Sequence, residues 1–364
     1  MEITIPHSDL IKTLELIERI STKHITLPVL QCVKIEAKEN KITFQATNLE
    51  ISIEVPIKGK VSEEGVVAVP SQILTQSVQF ISQTEITLRT EDQVLQIETP
   101  TTNTSIKTFA VDDFPHLTQI QGEELKIQKD TFSYGIKSVA FAASATSIKP
   151  ELGSVFIQQK KEHSLTFVAT DSFRLMEKTT SQKNLIIDQS LMIPQKNAIE
   201  LARVAEMVDV DPVFIFNENQ CALRFPGGLY ISSRLVVGNF PDYEQIIPKE
   251  FITHVTVLKE DLIKAFKKTN IFLNKFRQVS LTVTNKNITI SSQNNDVGHT
   301  TDTIQAQIEG EEINLNFNQQ YILDPLLHIN DDSVKLSFAG IGRALIIQGT
   351  TDKTLRYLVM PMNK

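Results

Sequence analysis

The sequence is poor in the features that mark secreted, membrane-spanning and metal-binding proteins. Its 364 residues include two cysteines, Cys32 and Cys221, which lie in strand-like runs far apart in the chain. Thiols in such runs are more typical of buried cysteines in a reducing compartment than of a disulfide, and they offer no metal site. The apolar runs are only strand-sized, and the first ten residues lack the basic and apolar regions of a secretion signal. We therefore expect a cytoplasmic protein that does not bind a membrane.

Motifs for catalysis and cofactor binding are also missing from the sequence. The seven histidines stand singly, without Glu or Cys partners at metal-ligand spacing. AGIGRA, residues 339–344, lacks the third glycine of a dinucleotide-binding loop, and no phosphate-binding Gly-Lys-Ser/Thr occurs. Asp171 and Arg174 resemble an acid and an electrophile, but no nucleophile accompanies them. The sequence predicts no catalytic residue, no metal and no cofactor.

What the sequence does contain is an internal repeat. ITFQATNLE begins at Ile42, LTFVATDSFRL at Leu165 and ITISSQNND at Ile288, so the three copies are 123 residues apart. Each copy alternates like a half-buried strand and then enters an Asn- or Asp-containing turn. A repeat of this length is a whole domain. The predicted domains span residues 1–122, 123–248 and 249–364.

Each repeat is predicted to contain two amphipathic helices and short, hairpin-linked strands. In the first repeat the spacing predicts a helix over 8–21, capped by Ser8 or Asp9, and a second helix with Pro70 in its first turn. Pro194 has the same position in the middle repeat. Hairpin-linked strands are antiparallel, so the predicted fold class is α+β. The other first helices are expected over residues 129–143 and 259–273.

Positive charge is concentrated in the predicted first helices, although the chain has a formal charge of −7. Residues 129–144 carry two lysines against one aspartate, and residues 259–274 carry four lysines against two acids. A single helix with a polar outer face would be unremarkable. Three repeated basic helices on one side would form a surface suited to a phosphate backbone, bound without reading base sequence. The residues expected to face DNA are Lys12, Arg19, Lys23, Lys137, Lys196, Arg203, Lys264, Lys267 and Lys268.

Several segments together resemble a known family. They are LPVLQCVKIEA (27–37), PELGSVFI (150–157), VATDSFRL (168–175), SSRLVVGNFPDYEQIIP (232–248), NKFR (274–277) and YLVMPM (357–362). In this order, across all three repeats, they resemble the bacterial sliding clamps, the beta subunits of DNA polymerase III. The resemblance implies three repeated DNA-clamp domains, each with two helices packed on antiparallel sheet, which close as a dimer into a six-domain ring. Head-to-tail pairing of free sheet edges with a second chain would agree with this picture.

The resemblance implies a non-catalytic processivity factor that encircles double-stranded DNA without sequence preference. Its partners would be a second copy of the chain and, through short linear peptides, polymerase subunits, the clamp loader and repair proteins. His24 stands where the family often has a DNA-contacting arginine, and it joins the DNA-facing set. At the dimer seam we expect the strands near 101–111 and 300–306. The side chains predicted there are Thr104, Ile106, Phe272 and Leu273.

The resemblance also implies a peptide-binding pocket between the second and third domains. Met and Leu side chains would form its adaptable apolar floor, with Arg174 and Asn318 as polar contacts at the rim. Ser172 and Phe173 replace a Gly-His pair that is common in the family, so the preferred peptide would differ. The residues carried over are Leu152, Thr170, Ser172, Phe173, Arg174, Leu175, Pro241, Gln245, Ile246, Phe276, Asn318, Tyr321, Ala344, Leu358, Met360, Pro361 and Met362.

Two other function classes stay open at this point. A scaffold of three repeats that binds only proteins would keep its function after charge reversal of the basic helices. An enzyme with an unrecognised site between repeats two and three would lose its turnover when Arg174 is replaced.

Overall fold

The computed structural model of the chain describes residues 1–21, 27–146, 148–182 and 187–362. The predictions for Lys23 and His24 lie outside these residues. The chain divides into two compact units. Unit 1 comprises Met1–Ser133 and Lys196–Leu235, and unit 2 comprises Tyr134–Gln195 and Val236–Lys364.

The first repeat contains two helices among nine strands. Its elements are β1 (Glu2–Pro6), α1 (His7–Ile17), β2 (Cys32–Lys38), β3 (Lys41–Thr47), β4 (Ile51–Ile57), β5 (Lys60–Glu63), β6 (Gly65–Pro70), α2 (Ser71–Val78), β7 (Glu85–Glu91), β8 (Val94–Glu98) and β9 (Asn103–Lys107).

The second repeat follows a similar order. Its elements are β10 (Glu123–Lys126), α3 (Lys129–Val139), β11 (Ser154–Gln158), β12 (Ser164–Thr170), β13 (Arg174–Ser181), β14 (Leu191–Pro194), α4 (Gln195–Met207), β15 (Val213–Phe216), β16 (Gln220–Arg224) and β17 (Tyr230–Arg234).

The third repeat again contains two helices among strands. Its elements are β18 (Thr253–Leu258), α5 (Lys259–Thr269), β19 (Gln278–Val283), β20 (Asn287–Asn294), β21 (Gly298–Gln305), β22 (Gln307–Gly310), β23 (Ile313–Asn318), α6 (Gln319–Leu326), β24 (Ser333–Phe338), β25 (Leu345–Gly349) and β26 (Leu355–Val359). Two helices per repeat were predicted, and all six are present.

The predicted starts at residues 129 and 259 are confirmed, whereas those of three other helices were wrong in detail. α1 begins at His7, directly after β1, with Pro6 at the N-cap position and no side-chain cap, and it ends at Ile17. Pro70 and Pro194 end strands β6 and β14. Because proline lacks an N–H and has a fixed φ, it suits the last extended residue before a helix as well as the first helical one.

Unit 1 is built from two antiparallel sheets. The five-stranded sheet has the order β5-β1-β7-β8-β9, and the eight-stranded sheet has the order β10-β15-β16-β17-β4-β3-β2-β6. β17 of the second repeat pairs with β4 of the first, so strands from two repeats share one sheet. α1 and α2 pack on each other and bury Leu10, Leu14 and Leu74.

Unit 2 repeats this plan with a nine-stranded and a four-stranded sheet. Their orders are β14-β11-β12-β13-β26-β25-β24-β18-β22 and β21-β20-β19-β23. β26 of the third repeat pairs with β13 of the second, Leu358 standing opposite Leu175. Gly135 of α3 lies directly on β12, since a Cβ there would stand 2.3 Å from the ring of Phe167. The α+β prediction is confirmed: every pairing among the described strands of both units is antiparallel.

The recurrent turn has the same geometry in the repeats. Asn48 Oδ1 accepts the backbone N–H groups two and three residues later, both at 3.0 Å. Asp171 Oδ1 does the same at 2.9 and 3.0 Å, and Asn294 Oδ1 accepts the N–H two residues later at 3.0 Å. Leu49 and Ser172 occupy the same left-handed position, with φ of 76° and 77°. The 123-residue period therefore reflects a repeated hydrogen-bonded turn.

Candidate functional site

The floor of the predicted pocket lies in unit 2, where β13 pairs with β26. Leu175 and Leu358 face each other across this pairing, and each is only 1% exposed. Ala344 is buried in the same apolar cluster, and Met360 is half-buried against it. The other buried members are Phe156, Val168, Met192, Tyr243 and Ile346. The structure thus brings four predicted residues from two repeats into one floor.

A cavity of about 630 Å³, which we call the groove, lies beside this cluster and is lined by two of its members, Ala344 and Met360. Its lining includes the predicted residues Ser172, Gln245, Ile246, Ala344 and Met360. The lining residues that the sequence analysis missed are Ile247, Pro248, Lys249, Glu250, Gly342 and Arg343. Gly342, Arg343 and Ala344, the second half of the AGIGRA motif that lacks the third glycine of a dinucleotide-binding loop, therefore form one wall of the groove. Gly342 and Arg343 directly precede the predicted site residue Ala344, and this was the signal that could have identified them.

Exposed apolar side chains accompany the groove. Phe173 is 62% exposed in the turn before β13, and Ile246 and Phe276 are also more than half exposed. Large apolar side chains left in water commonly mark a binding surface. Tyr321 and Pro361 are partly buried, whereas Pro241 is exposed. None of these three lines the cavity itself.

Arg174 does not have the predicted role of a rim contact. Its side chain is 12% exposed, and its Nε and Nη1 donate to Asp171 and Asp324 at 2.9 and 2.5 Å. Nη2 donates to the carbonyl of Phe141 at 2.9 Å, and the guanidinium stacks on Tyr321 at 4.4 Å from its centroid. Three of the five guanidinium N–H groups are used within the chain, so Arg174 holds the turn in place.

Three further predicted residues are structural supports. Asn318 caps α6, since its Oδ1 accepts the N–H of Gln320 at 2.9 Å, and its Nδ2 donates to the Phe276 carbonyl at 3.5 Å. The hydroxyl of Thr170 donates to the Arg174 carbonyl at 2.7 Å, and Leu152 is buried. The sequence predicts that Asn318 contacts the peptide, but its side-chain oxygen Oδ1 is already hydrogen-bonded to the backbone at the start of α6.

The last described residues connect the two sheets of unit 2. The N–H of Met360 donates to the Phe173 carbonyl at 2.8 Å, beside the nine-stranded sheet. The N–H of Met362 donates to the Asn316 carbonyl at 2.7 Å, on β23 of the four-stranded sheet. The sequence motif at the end of the chain is therefore held in place by backbone hydrogen bonds on both sides of Pro361.

The predicted DNA-facing residues fall into two groups. Most are exposed on their helices, namely Lys12, Arg19, Lys137, Lys196, Lys264, Lys267 and Lys268. Arg203 is an exception: its side chain is 14% exposed, bonds Glu200, and donates to the carbonyls of Glu15 and Leu16 at 3.1 and 2.8 Å. It closes the end of α1, so the prediction that it faces outward was wrong. Glu15 and Glu18 also lie exposed on and just after α1, so this helix is less basic than expected.

Two edge strands match the predicted seam. Within the described sheets, no strand lies beyond β9 in unit 1 or beyond β21 in unit 2. Phe272 packs beside the start of β21, about 3.6 Å from the Cβ position of Gly298. Ile106 is buried in unit 1, so only its backbone is available at the edge. The sequence analysis missed Phe80, 87% exposed after α2, and the exposed Ile271 beside Phe272.

In the part of the chain that the structure describes, no three His, Cys, Asp or Glu side chains are grouped as a metal site would require. No helix within these residues is long and apolar enough to cross a membrane. Cys32 and Cys221 are free and buried, as predicted, and burial raises the pKa of each thiol to about 12.

Comparison with known proteins identifies the class of protein that this fold and groove define, a three-domain clamp subunit. The N-terminal, central and C-terminal domain models of the DNA polymerase III beta subunit match residues 1–118, 126–242 and 244–363. The three models match in order and together cover nearly the whole chain. The chain belongs to the DNA polymerase III beta subunit family, the bacterial sliding clamps.

Individual relatives agree with this assignment. The beta sliding clamp of Bacillus subtilis is 27% identical over 383 aligned residues, covering 100% of this chain and 99% of that protein. The crystal structure of the beta subunit from Thermotoga maritima superposes with a TM-score of 0.94 at 23% identity, covering 100% and 99% of the two chains. The Pseudomonas aeruginosa clamp bound to griselimycin has a TM-score of 0.92 at 24% identity, with full coverage of both chains. At these identities, the two structures establish the fold alone.

Proposed function

We propose that this chain acts as a DNA sliding clamp, a non-catalytic subunit that encircles duplex DNA and tethers polymerases, the clamp loader and repair proteins through short peptides. The observation that carries the proposal is the groove of unit 2, in a chain that matches all three beta-subunit domains in order. Tethering would raise the effective concentration of a polymerase at the primer end. Replication of a bacterial chromosome would place the protein in the cytoplasm.

A short peptide with apolar side chains is the occupant that the groove fits best. Ile246, Ile247, Ala344 and Met360 give the cavity an apolar lining, and its volume of about 630 Å³ has room for a few side chains. The flexible thioether of Met360 allows different peptides to pack on the same floor. The P. aeruginosa clamp was crystallised with griselimycin bound, so griselimycin is a suitable probe here.

The dimer would form by pairing of sheet edges. β9 and β21 are unpaired edges in their own units, and Thr104, Phe272 and Leu273 remain seam predictions. The exposed side chains of Phe80 and Ile271 add apolar area that pairing would cover. Phe272→Asp should shift the solution mass from dimer to monomer, whereas Phe276→Asp, at an exposed groove residue, should leave it unchanged.

DNA would be held by topology and by nonspecific phosphate contacts. Exposed Lys12 and Lys196 in unit 1, and Lys264 and Lys267 in unit 2, are the cations to test. After loading, the clamp should stay on closed circular DNA and slide off linear DNA. Equal loss from both forms would contradict the proposal.

Charge reversal separates the clamp from a scaffold that binds only proteins. Reversal of the four helix lysines to Glu should reduce loading on DNA while griselimycin binding persists. The matched control reverses four exposed lysines on strands and loops, Lys38, Lys58, Lys60 and Lys286, and should load normally. Normal loading by the first variant would favour the scaffold. The enzyme alternative loses its basis because Arg174 is held by Asp171 and Asp324.

A further inference from the structure

Unit 2 has a second cavity beside the groove, on the same face of the nine-stranded sheet. Its volume is about 590 Å³. Residues 243–249, which we call the connector, separate the two spaces, and Ile247, Pro248 and Lys249 line both. A ligand that extends past the connector would therefore pass directly from the groove into this second space.

Cations dominate the lining of the second cavity, which we call the basic cavity. The cations are Lys160, Lys161, Lys249, Lys353 and Arg356, and the acids are Glu177 and Glu244. Five cations and two acids leave a formal excess of three positive charges, in a chain whose formal charge is −7. Hydroxyl groups complete the lining, from Ser164, Thr166, Thr179 and Thr354.

Both acids are already satisfied within the protein. Lys160 Nζ lies 2.7 Å from Glu177 and 2.6 Å from Glu244. Glu177 also accepts from Arg356 Nη2 at 2.6 Å and from the Tyr243 hydroxyl at 2.7 Å. Burial alone would raise the pKa of Glu177, but the hydrogen bonds from Lys160 and Tyr243 and the charge of Arg356 hold it below its ordinary value. The remaining positive charge is therefore available to a ligand.

The guanidinium of Arg356 lines this space. Its Nε is buried and has no hydrogen-bond partner among the residues that the structure describes. A buried donor without an acceptor costs about 1–3 kcal/mol. The planar guanidinium suits a carboxylate, which can accept two N–H groups at once. Lys161 and Lys249 are exposed beside it, where they add attraction for an anion.

The corresponding place in unit 1 has no such cation. Glu54 stands opposite Tyr230 there, in the register in which Glu177 stands opposite Arg356. The Tyr230 hydroxyl accepts the N–H of Ile120 at 2.8 Å, so it is used within the fold. The cation therefore occurs only at the junction that also has the apolar groove.

We propose that the basic cavity binds the carboxylate side chains of an acidic stretch adjoining the docking peptide of a partner protein. This inference rests on the proposed function of the groove. An extended chain advances about 3.3 Å per residue, so three or four residues beyond the peptide reach about 10–13 Å, enough to cross the connector. Partners with such a stretch would bind more tightly than partners with the same apolar side chains alone.

The test uses fluorescence anisotropy with labelled peptides and the full-length protein. Each peptide has one Leu and one Phe as apolar anchors and carries four Asp, four Asn or four Lys at either its N- or its C-terminus. At low salt, one of the two Asp peptides should bind about tenfold more tightly than its Asn counterpart, a gain of about 1.4 kcal/mol, and the matching Lys peptide should bind more weakly.

Variants of the protein test whether the tighter binding of the Asp peptide depends on the basic cavity. Lys161→Gln with Lys353→Gln removes two charges at its lining, and Arg356→Lys keeps the charge but removes the planar guanidinium. Both should reduce the gain from Asp and leave the affinity for the Asn peptide unchanged. Lys58→Gln, in unit 1, should keep the gain. Thermal melting checks that each variant is folded.

The outcomes separate this inference from the proposed function. If the Asn peptides and griselimycin fail to bind, the proposed function falls and this inference with it. If they bind but Asp at either end adds nothing, or the variants keep the full gain, the inference alone is wrong. Reduced loading on DNA with an unchanged gain from Asp would assign the cations to DNA and overturn the inference as well.

Discussion

The two units contain the same strand junction, once with polar and once with apolar side chains. In unit 1, β4 pairs with β17, and in unit 2, β13 pairs with β26. The N–H of Arg234 donates to the Glu50 carbonyl at 2.8 Å, and the N–H of Met360 donates to the Phe173 carbonyl at the same distance. The backbones of the two junctions therefore correspond residue by residue.

The side chains on these matching backbones differ in polarity. Ser52 stands opposite Ser232 in unit 1, where unit 2 has Leu175 opposite Leu358. The cavity at the unit 1 junction is about 250 Å³, against about 630 Å³ for the groove. The other unit 1 residues that replace groove residues are Gln45 for Val168, Gln220 for Ala344 and Arg234 for Met360.

The difference shows that the fold supplies the site and a few side chains supply the binding. Apolar area removed from water contributes about 25 cal/mol per Å², and the half-buried Met360 still has such area to offer where unit 1 has Arg234. Duplication has thus kept a backbone scaffold in both units while only unit 2 has an apolar floor. Each substitution described below replaces a side chain at one junction, either with the residue at the matching position of the other junction or with a residue that lacks the group in question.

The largest effect is expected at Arg174, whose counterpart in unit 1 is the buried Ile51. Arg174→Ala leaves Asp171 and Asp324 without their shared cation, so the free energy of unfolding should fall by about 3–5 kcal/mol. Urea unfolding measures this change. Asp324→Asn added to Arg174→Ala should restore part of the loss, because it removes one unpaired charge. A loss below about 1 kcal/mol would show that the ion pairs contribute little.

Exchange of the floor residues tests binding directly. Met360→Arg gives unit 2 the residue of unit 1, and it should weaken griselimycin binding at least tenfold, since about 1.5–3 kcal/mol of apolar burial is lost. Calorimetric titration provides the affinity. Arg234→Met is the matched control in unit 1 and should leave the affinity unchanged. Equal effects of the two exchanges would contradict the assignment of binding to unit 2.

Glu177 and its counterpart Glu54 should differ in their contribution to stability. At pH 7, Glu177→Gln should lower the free energy of unfolding by about 1–3 kcal/mol, because Lys160 and Arg356 lose a charged acceptor. Since the folded pKa of Glu177 lies below its ordinary value of 4.5, its contribution is present above that pH and is lost as pH falls through the folded pKa. Urea unfolding between pH 7 and 3 should show the two proteins converging in acid.

Glu54→Gln is the control for this measurement. Glu54 accepts a hydrogen bond from Gln45 Nε2 at 2.7 Å, so a smaller change is expected there. A loss at Glu54 as large as that at Glu177 would show that the cations around Glu177 add no stability.

The smallest effect is expected at the shared turn. Ser172 and Leu49 both have left-handed φ values, which glycine adopts without strain. Ser172→Gly and Leu49→Gly should each raise the free energy of unfolding by about 0.5–1 kcal/mol, measured by urea unfolding. A rise in one turn and a fall in the other would show that the two turns are not equivalent.

Local patterns were enough to predict the strands and the helix starts at Lys129 and Lys259, but not the starts that involve a proline. Alternation placed a strand at 85–90, and the structure has β7 at Glu85–Glu91, because side-chain alternation depends on neighbouring residues alone. Pro70 and Pro194 were misassigned because a proline before a helix has the same fixed φ as one inside its first turn.

The sequence predicted which residues belong to the site, but only partly what each of them does. Leu175 and Met360 belong to one apolar cluster, and their contact with a peptide stays a prediction. Arg174 and Arg203 looked available because exposed and buried arginines have the same sequence signal. The partners of Arg174 include Asp324, 150 residues away, and no local pattern connects the two.

The sequence alone was sufficient to predict the threefold repeat, the α+β fold class and the recurrent turn. Each of these features depends on residue spacing within a few tens of residues or on direct repetition. Pairing of β13 with β26 joins residues 177 to 185 positions apart, and that pairing brings together Leu175 with Leu358 in the apolar floor and Glu177 with Arg356 in the basic cavity. Only the tertiary structure showed which arginines are hydrogen-bonded within the protein and which acids are paired with cations. Burial and ion pairing depend on distances in space, and the 123-residue repeat in the sequence carries no information about those distances.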